Sequence, residues 1–213
     1  MMTVHSDITE VFGPARDQGE RPTCLAFAMS DMNRFHAACE VLSAEYLYRG
    51  AAMRTTGWKP GDGTYLRHAI AVTSDTGLPG DALLPYELLE PGMPIPVLPD
   101  ATTGTFYRNV FAGGKPVQAA EVKAALGQGI PVGLVLKITP EFVLAKDGFV
   151  EHSNNVFPNE FHAVIATAAA TRNSDSADYI RVRNSWGAGW GDAGHAWLNA
   201  AYVNAYMVES FRI

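Results

Sequence analysis

Gln18-Gly19-Glu20-Arg21-Pro22-Thr23-Cys24-Leu25-Ala26-Phe27-Ala28 is the stretch on which the reading of the whole chain turns. Before it, Gly13-Pro14 and Gly19 mark turn points in an extended segment. After it, Leu25, Ala28, Met32, Phe35, Cys39 and Leu42 recur at spacings of three and four. That pattern predicts a helix of about five turns with one apolar stripe. Pro22 suits a position at or just outside the first turn, where a missing N–H costs nothing, and Thr23 is the expected cap. Cys24 is thereby placed at the positive end of the helix dipole. A thiol there, facing an imidazolium, falls well below its ordinary pKa of about 8.5 and becomes a thiolate nucleophile. Standing alone, a Cys at the head of an apolar helix would more often be a small core residue. The decision therefore rests on what lies downstream.

Two downstream segments supply the missing chemistry. Phe161-His162-Ala163-Val164 holds a base, 138 positions after Cys24. Arg183-Asn184-Ser185-Trp186-Gly187-Ala188-Gly189-Trp190-Gly191 holds, 22 positions further on, an amide that can orient that base. A neutral orienting group suits an imidazole that must remain cationic beside a thiolate. Gln18 and the backbone N–H of Cys24 are candidate donors to the oxyanion that forms when a thiolate attacks a carbonyl. Trp186 is expected to cover the His162–Asn184 bond, and Arg183 to face solvent.

Helices are expected to dominate before Pro99 and strands after it, an α+β pattern. A second helix should start at Ser43 as its cap, and a third should span Thr64 to Thr76, ended by Gly77. Leu78 to Pro99 carries six prolines and is neither helix nor central strand for long. It reads as an ordered connection anchored by Leu83, Leu84, Tyr86, Leu88 and Leu89. Beyond it, strands are expected at Phe106–Phe111, Val132–Ile138, Gly148–Val150, His162–Thr167, Tyr179–Asn184 and Gly194–Leu198. A helix is expected over Val117–Leu126, and a hairpin loop over Thr171–Ala177.

The ordered set Gln18, Cys24, His162, Asn184, with Leu42-Ser43-Ala44-Glu45-Tyr46-Leu47 and Asn184-Ser185-Trp186-Gly187-Ala188-Gly189-Trp190-Gly191, resembles the papain-like cysteine peptidases. That family has its Cys near the start of the mature domain and its His and Asn about 130–150 residues downstream. The resemblance runs from about Asp17 to Trp197. It implies a single catalytic domain over 1–213, with a helical lobe over about 20–99, a β-rich lobe over about 100–213 and an active-site cleft between them. It further implies a Cys24-His162-Asn184 triad, an oxyanion hole of Gln18 and Cys24, and a peptide or protein substrate. Gly61-Asp62-Gly63 is loosely similar to the Gly pair that binds substrate backbone. Val135, Glu160 and Phe161 fall where pocket residues are expected. Three departures stand out. Arg21 replaces a second Cys, Leu25 replaces a Trp after the nucleophile, and Phe161 replaces an Asn or Asp before the His. The chain is most similar to a shortened bacterial branch that lacks the disulfide framework.

Composition narrows the alternatives. The hydrophobic fraction of 47% and charged fraction of 18% describe a core-forming chain, not a disordered one. A net charge of −6 with no Lys/Arg run argues against nucleic acid as a partner. No His-x-x-x-His or comparable pattern points to a metal, and no cofactor is implied. Cys24 as nucleophile leaves only Cys39, which lies on the apolar stripe, so a reducing compartment is expected. Residues 1–23 have no apolar run and read as neither signal peptide nor prosegment, and no apolar stretch is long enough for a membrane span. Restraint of activity by an inhibitor or regulator protein is compatible with that. Two rival readings stay open: the same triad serving deamidation, isopeptide cleavage or transpeptidation, and a catalytically silent peptide-binding domain of the same fold.

Overall fold

In the computed structural model, which describes residues 1–213, the chain runs β1 (Met2–Asp7), α1 (Cys24–Ala37), α2 (Ala44–Met53), α3 (Leu66–Asp75), β2 (Leu78–Pro79), β3 (Phe106–Tyr107), β4 (Ala112–Lys115), α4 (Ala119–Leu126), β5 (Val132–Lys137), α5 (Pro140–Leu144), β6 (Phe149–Val150), β7 (Phe161–Arg172), β8 (Ala177–Arg183), β9 (His195–Asn199), α6 (Ala200–Tyr206) and β10 (Met207–Arg212). Two units form. A helical one spans Gln18–Gly114, and a sheet unit joins Met1–Asp17 to Lys115–Arg212.

In the helical unit, the apolar stripe of α1 buries Leu25, Met29 and Met32, and α2 and α3 bury Leu47, Tyr48, Ala51 and Val72. Ser43 caps α2 as expected: its hydroxyl accepts from the Tyr46 N–H at 2.9 Å and donates to the Leu84 carbonyl at 2.6 Å. The helix α1 stops a turn earlier than the stripe predicts, because Ala38 takes a left-handed conformation (φ 48°). Cys39 therefore lies beyond the helix and is only half-buried, while Leu42 is fully buried in a bridge to Gly80. Thr23 holds the cap position, but its hydroxyl makes no cap bond and meets the Tyr86 hydroxyl at 2.9 Å.

Of the anchors expected in the proline-rich stretch, Tyr86 serves and three leucines do not. Leu83, Leu88 and Leu89 are exposed. Its attachments are polar and aromatic: Tyr86 packs edge-on against Phe27 at 4.7 Å, and Glu87 and Glu90 bond Arg21. The strand expected at Phe106–Phe111 is confined to Phe106–Tyr107, which pairs with Leu78–Pro79.

In the sheet unit the strands lie in the order β10-β5-β7-β8-β9-β6, and β1 adds to the outer half of β7. All these pairings are antiparallel except β6–β9. The strand β7 is long enough for two tasks: Phe161–Ala166 pairs with β5, and Ala168–Arg172 pairs with β1. The run Ala163 to Ala170 is buried throughout, as a strand covered on both faces should be. The helices α4 and α6 pack Val122, Leu126, Tyr202 and Val203 against Leu134, Val164, Ile180 and Leu198. The helices α5 and α6 and strand β10 had no clear sequence signal.

Candidate active site

The sheet unit fixes His162 and Asn184 next to each other. His162 is the second residue of β7, opposite Leu136 of β5, and Asn184 directly follows β8. The ring Nε2 of His162 lies 2.6 Å from Asn184 Oδ1. That oxygen also accepts the backbone N–H of Ser185 at 2.7 Å, and the Asn184 N–H donates to the Gly194 carbonyl at 3.0 Å. The amide oxygen is thus held from both sides. Its Nδ2 is buried with no hydrogen-bond partner. Such a group costs about 1–3 kcal/mol, a penalty accepted where the oxygen must point at the ring. With Nε2 donating to Asn184, the neutral imidazole presents Nδ1 as its basic nitrogen.

Aromatic side chains enclose this pair. The Trp186 ring centroid is 4.4 Å from that of His162, and Phe142 is 5.7 Å from both rings. Trp190 closes the far side of Phe142 at 5.2 Å and donates Nε1–H to the Phe142 carbonyl at 3.0 Å. Trp186 thus lies against the His162 ring, and Trp190 is a buried core aromatic that also bonds. Burial pushes the His162 pKa down to about 4, against the opposing effect of the Asn184 bond. The neutral ring is favoured in this environment.

Glycine is required by geometry in the segment that carries Trp186. Gly187 has φ +68°, its N–H bonds the Arg16 carbonyl, and a Cβ there would meet the Asp17 carboxylate at 2.9 Å. Gly191 has φ +58°, and a Cβ would meet the His195 carbonyl at 2.3 Å. Arg183, expected in solvent, is instead buried. Its two terminal nitrogens donate to the carbonyls of Gly13 and Pro14, each at 2.7 Å.

The helical unit carries the thiol. Cys24 is the first residue of α1, and it is not bonded to Cys39. Gln18, six residues earlier, is buried, and its Nε2 donates to the Arg21 carbonyl at 2.7 Å. The Arg21 guanidinium is buried between Glu45 and Glu90, with the faces of Tyr48 and Tyr86 at 5.0 and 4.8 Å. Burial opposes its charge, but the Glu45 bond and the two carboxylates outweigh burial and raise its pKa. Sequence reasoning noted Arg21 as a departure and missed its partners. They lie 24 to 69 positions away, with no periodicity to connect them.

The weaker substrate-binding candidates are placed as follows. Gly61 (φ +90°), Asp62 and Gly63 form an exposed turn. The Asp62 carbonyl accepts from Tyr48 and Trp58, and a Cβ at Gly63 would sit 3.9 Å from the Pro22 carbonyl. Val135 is half-buried opposite Ala163, Glu160 is exposed with its carbonyl bonded by Ile138, and Phe161 is half exposed. No three His, Cys, Asp or Glu side chains are grouped to hold a metal ion, and no helix is long and apolar enough to cross a membrane.

The family model described as papain family cysteine protease matches residues 6–212. The chain belongs to the papain family and has the α+β papain-like fold. Among curated relatives, it is 24% identical over 186 residues to the cathepsin B-like CP3 of Giardia intestinalis, covering 84% of this chain and 62% of the relative. It is 24% identical over 191 residues to the cathepsin L-like proteinase of Fasciola hepatica, covering 88% and 56%. The chain thus spans about three-fifths of the length of these two relatives. Among solved structures, xylellain, a cysteine protease from Xylella fastidiosa, superposes with a TM-score of 0.76 at 19% identity, covering 100% of this chain and 91% of that one. Digestive procathepsin L 3 of Tenebrio molitor gives 0.73 at 19% identity, covering 96% and 68%.

Proposed function

We propose that this chain is a cysteine peptidase that hydrolyses peptide bonds through a thioester acyl-enzyme. Cys24 is the nucleophile, His162 the base and acid, and Asn184 the orienting group. Gln18 Nε2 and the Cys24 N–H are the oxyanion donors. The observation that carries this reading is the buried 2.6 Å bond between His162 and Asn184 under Trp186, in a chain of the papain family. The Cys24 thiolate adds to the scissile carbonyl carbon, and the carbonyl oxygen takes the electron pair. His162 delivers its proton to the leaving amine as the C–N bond breaks, leaving an acyl thioester. Neutral His162 then removes a proton from water, whose oxygen attacks the thioester, and Cys24 leaves as thiolate. The turn Gly61-Asp62-Gly63, two residues from Cys24 through its approach to Pro22, is suited to bond an extended substrate backbone. In this reading Val135, Glu160 and Phe161 are the sheet-unit candidates for contact with substrate side chains.

The test is covalent labelling by an epoxysuccinyl or peptidyl-ketone thiol probe, read by mass spectrometry, together with cleavage of a peptide library. Labelling at Cys24 with cleavage supports the reading. Labelling without cleavage of any peptide shifts it to another acyl transfer, and an inert Cys24 favours a silent peptide-binding domain. Iodoacetamide alkylation of Cys24 should stay fast well below pH 7; a rate rising only near pH 8.5 would mean that no ion pair forms.

A second expectation concerns His162. Without a counter-charge its burial holds it near pKa 4. In Cys24→Ala protein, His162 should therefore titrate near 4 by ring NMR. In the native chain the thiol and imidazole should titrate as a coupled pair, with the imidazolium persisting above pH 6.5. The Cys24→Ala protein should also lose stability as pH falls from 6.5 towards 4. The unfolded chain binds a proton at the ordinary histidine value, and the folded one resists it, so the loss reaches about 3 kcal/mol. Urea unfolding at pH 6.5 and 4.5 checks this. Adding His162→Gln should remove that part of the slope, and an unchanged slope counts against it.

A further inference from the structure

The Gln18–Cys24 segment is held in place by a charge buried beneath it. Arg21 Nη1 donates to Glu45 Oε2 at 2.6 Å and to the Glu87 carbonyl. Its Nη2 reaches Glu45 Oε1 at 3.2 Å, and its Nε reaches Glu90 Oε1 at 3.3 Å. The guanidinium carbon lies over the Tyr48 and Tyr86 rings, 5.0 and 4.8 Å from their centroids. One side chain thus ties helix α2 and residues 86–90 to position 21. Its own carbonyl then accepts from Gln18 Nε2 at 2.7 Å and from the Thr23 N–H at 2.8 Å. Tyr86, stacked on the guanidinium, donates its hydroxyl to the Gln18 carbonyl at 2.7 Å. Both the main chain and the side-chain amide of Gln18 are therefore set by groups that the Arg21 guanidinium anchors.

We propose that Arg21 is a positioning residue for the oxyanion donor: its buried guanidinium fixes the carbonyl and the tyrosine that aim the Gln18 amide. This rests on the reading of Gln18 as an oxyanion donor. A primary amide is planar, so binding one N–H to the Arg21 carbonyl fixes the direction of the other. The fork of five N–H donors and the stacking faces are particular to arginine, and lysine reproduces neither. A displacement of about 1 Å at such a donor can cost roughly 10²-fold in rate. The competing explanation is that Arg21 only stabilises the fold.

A double-mutant cycle separates the two. Steady-state kinetics on a library-derived fluorogenic peptide would be measured for the native chain, Gln18→Ala, Arg21→Lys and the double variant. Each would be confirmed folded by circular dichroism. Gln18→Ala should lose about 10²–10³-fold in kcat. Arg21→Lys should lose about 10–100-fold in kcat with KM within about 3-fold, while iodoacetamide alkylation of Cys24, which forms no oxyanion, should stay within about 2-fold. The double variant should lie within about 3-fold of Gln18→Ala, because Arg21 acts through Gln18. Losses that multiply in the double variant would overturn the proposal and leave the Gln18 assignment standing. If Gln18→Ala is fully active, or the native chain cleaves no peptide, the parent reading fails and takes the proposal with it. Should Arg21→Lys fail to fold, Tyr86→Phe deletes only the hydroxyl. Its expected loss of about 3–10-fold in kcat should vanish in the Gln18→Ala background, and a loss that persists there overturns the proposal.

Discussion

Cys24→Ala is expected to abolish peptide turnover while the folded protein remains. The thiol-to-methyl change removes one sulfur from a half-buried side chain at the first residue of α1 and leaves the helix backbone unchanged. The expected stability change is within about 1 kcal/mol. The expected fall in kcat is about 10⁶-fold, to the residual rate that binding and oxyanion contacts give when no thioester can form. Cys39→Ala is the control. That thiol lies beyond the end of α1, and burial first, then Glu40, raises its pKa. Its loss should leave activity intact. Turnover by Cys24→Ala, or loss of turnover by folded Cys39→Ala, would overturn the assignment. Because neither thiol is in a disulfide, a reductant should leave the melting temperature unchanged and keep Cys24 from oxidising.

Glu45→Ala is expected to produce the largest loss of stability. Glu45 is fully buried, and its carboxylate takes Arg21 and Arg49 at 2.6 Å each, together with the backbone N–H of Glu87 at 3.3 Å. Without it, two buried guanidinium groups lose their common counter-charge. Breaking such a buried pair costs about 3–5 kcal/mol. For a chain of this size that is a fall of roughly 10 °C in melting temperature, at about 2–4 °C per kcal/mol. Glu87→Ala provides the contrast. That carboxylate is 57% exposed where it meets Arg49, and its removal should cost no more than about 1 kcal/mol. Thermal unfolding of both variants decides the matter; equal shifts would show that Glu45 is not the keystone of the cluster.

What could be read from the sequence was local or motif-bound. His162 and Asn184 were legible because two chemical groups and a Trp-Gly pattern coincide, and the structure joins them by one short bond. The Ser43 cap was legible because capping is decided within three residues. Arg183 was misread for the opposite reason. A polar residue at the end of a strand ordinarily faces water, and its actual acceptors are two carbonyls about 170 positions earlier. The early end of α1 had no glycine to announce it, since Ala38 carries the left-handed turn. Leu83, Leu88 and Leu89 of the proline-rich stretch looked like anchors by composition, yet the anchoring comes from Tyr86 on Phe27 and from Arg21, Glu45 and Glu90 meeting in space.

The pairing of β1 with β7 has a consequence for the order in which the protein is made. Asp7 pairs with Ala168 and Met2 with Arg172. At synthesis rates of about 5–20 residues per second, β1 waits roughly 10–30 s on the ribosome for its partner. Closing a loop of that length costs on the order of 4–5 kcal/mol in chain entropy, about 2 kcal/mol more than closing one of about 20 residues. The contiguous helical unit, bearing the thiol, can mature early. The sheet, bearing the imidazole, cannot be completed until translation has passed Arg212, the last residue of β10. The Cys24 thiol and the His162 imidazole thus reach their folded settings at different times, so that in the peptidase reading proposed above a nascent chain would carry its nucleophile before its base is set in the sheet.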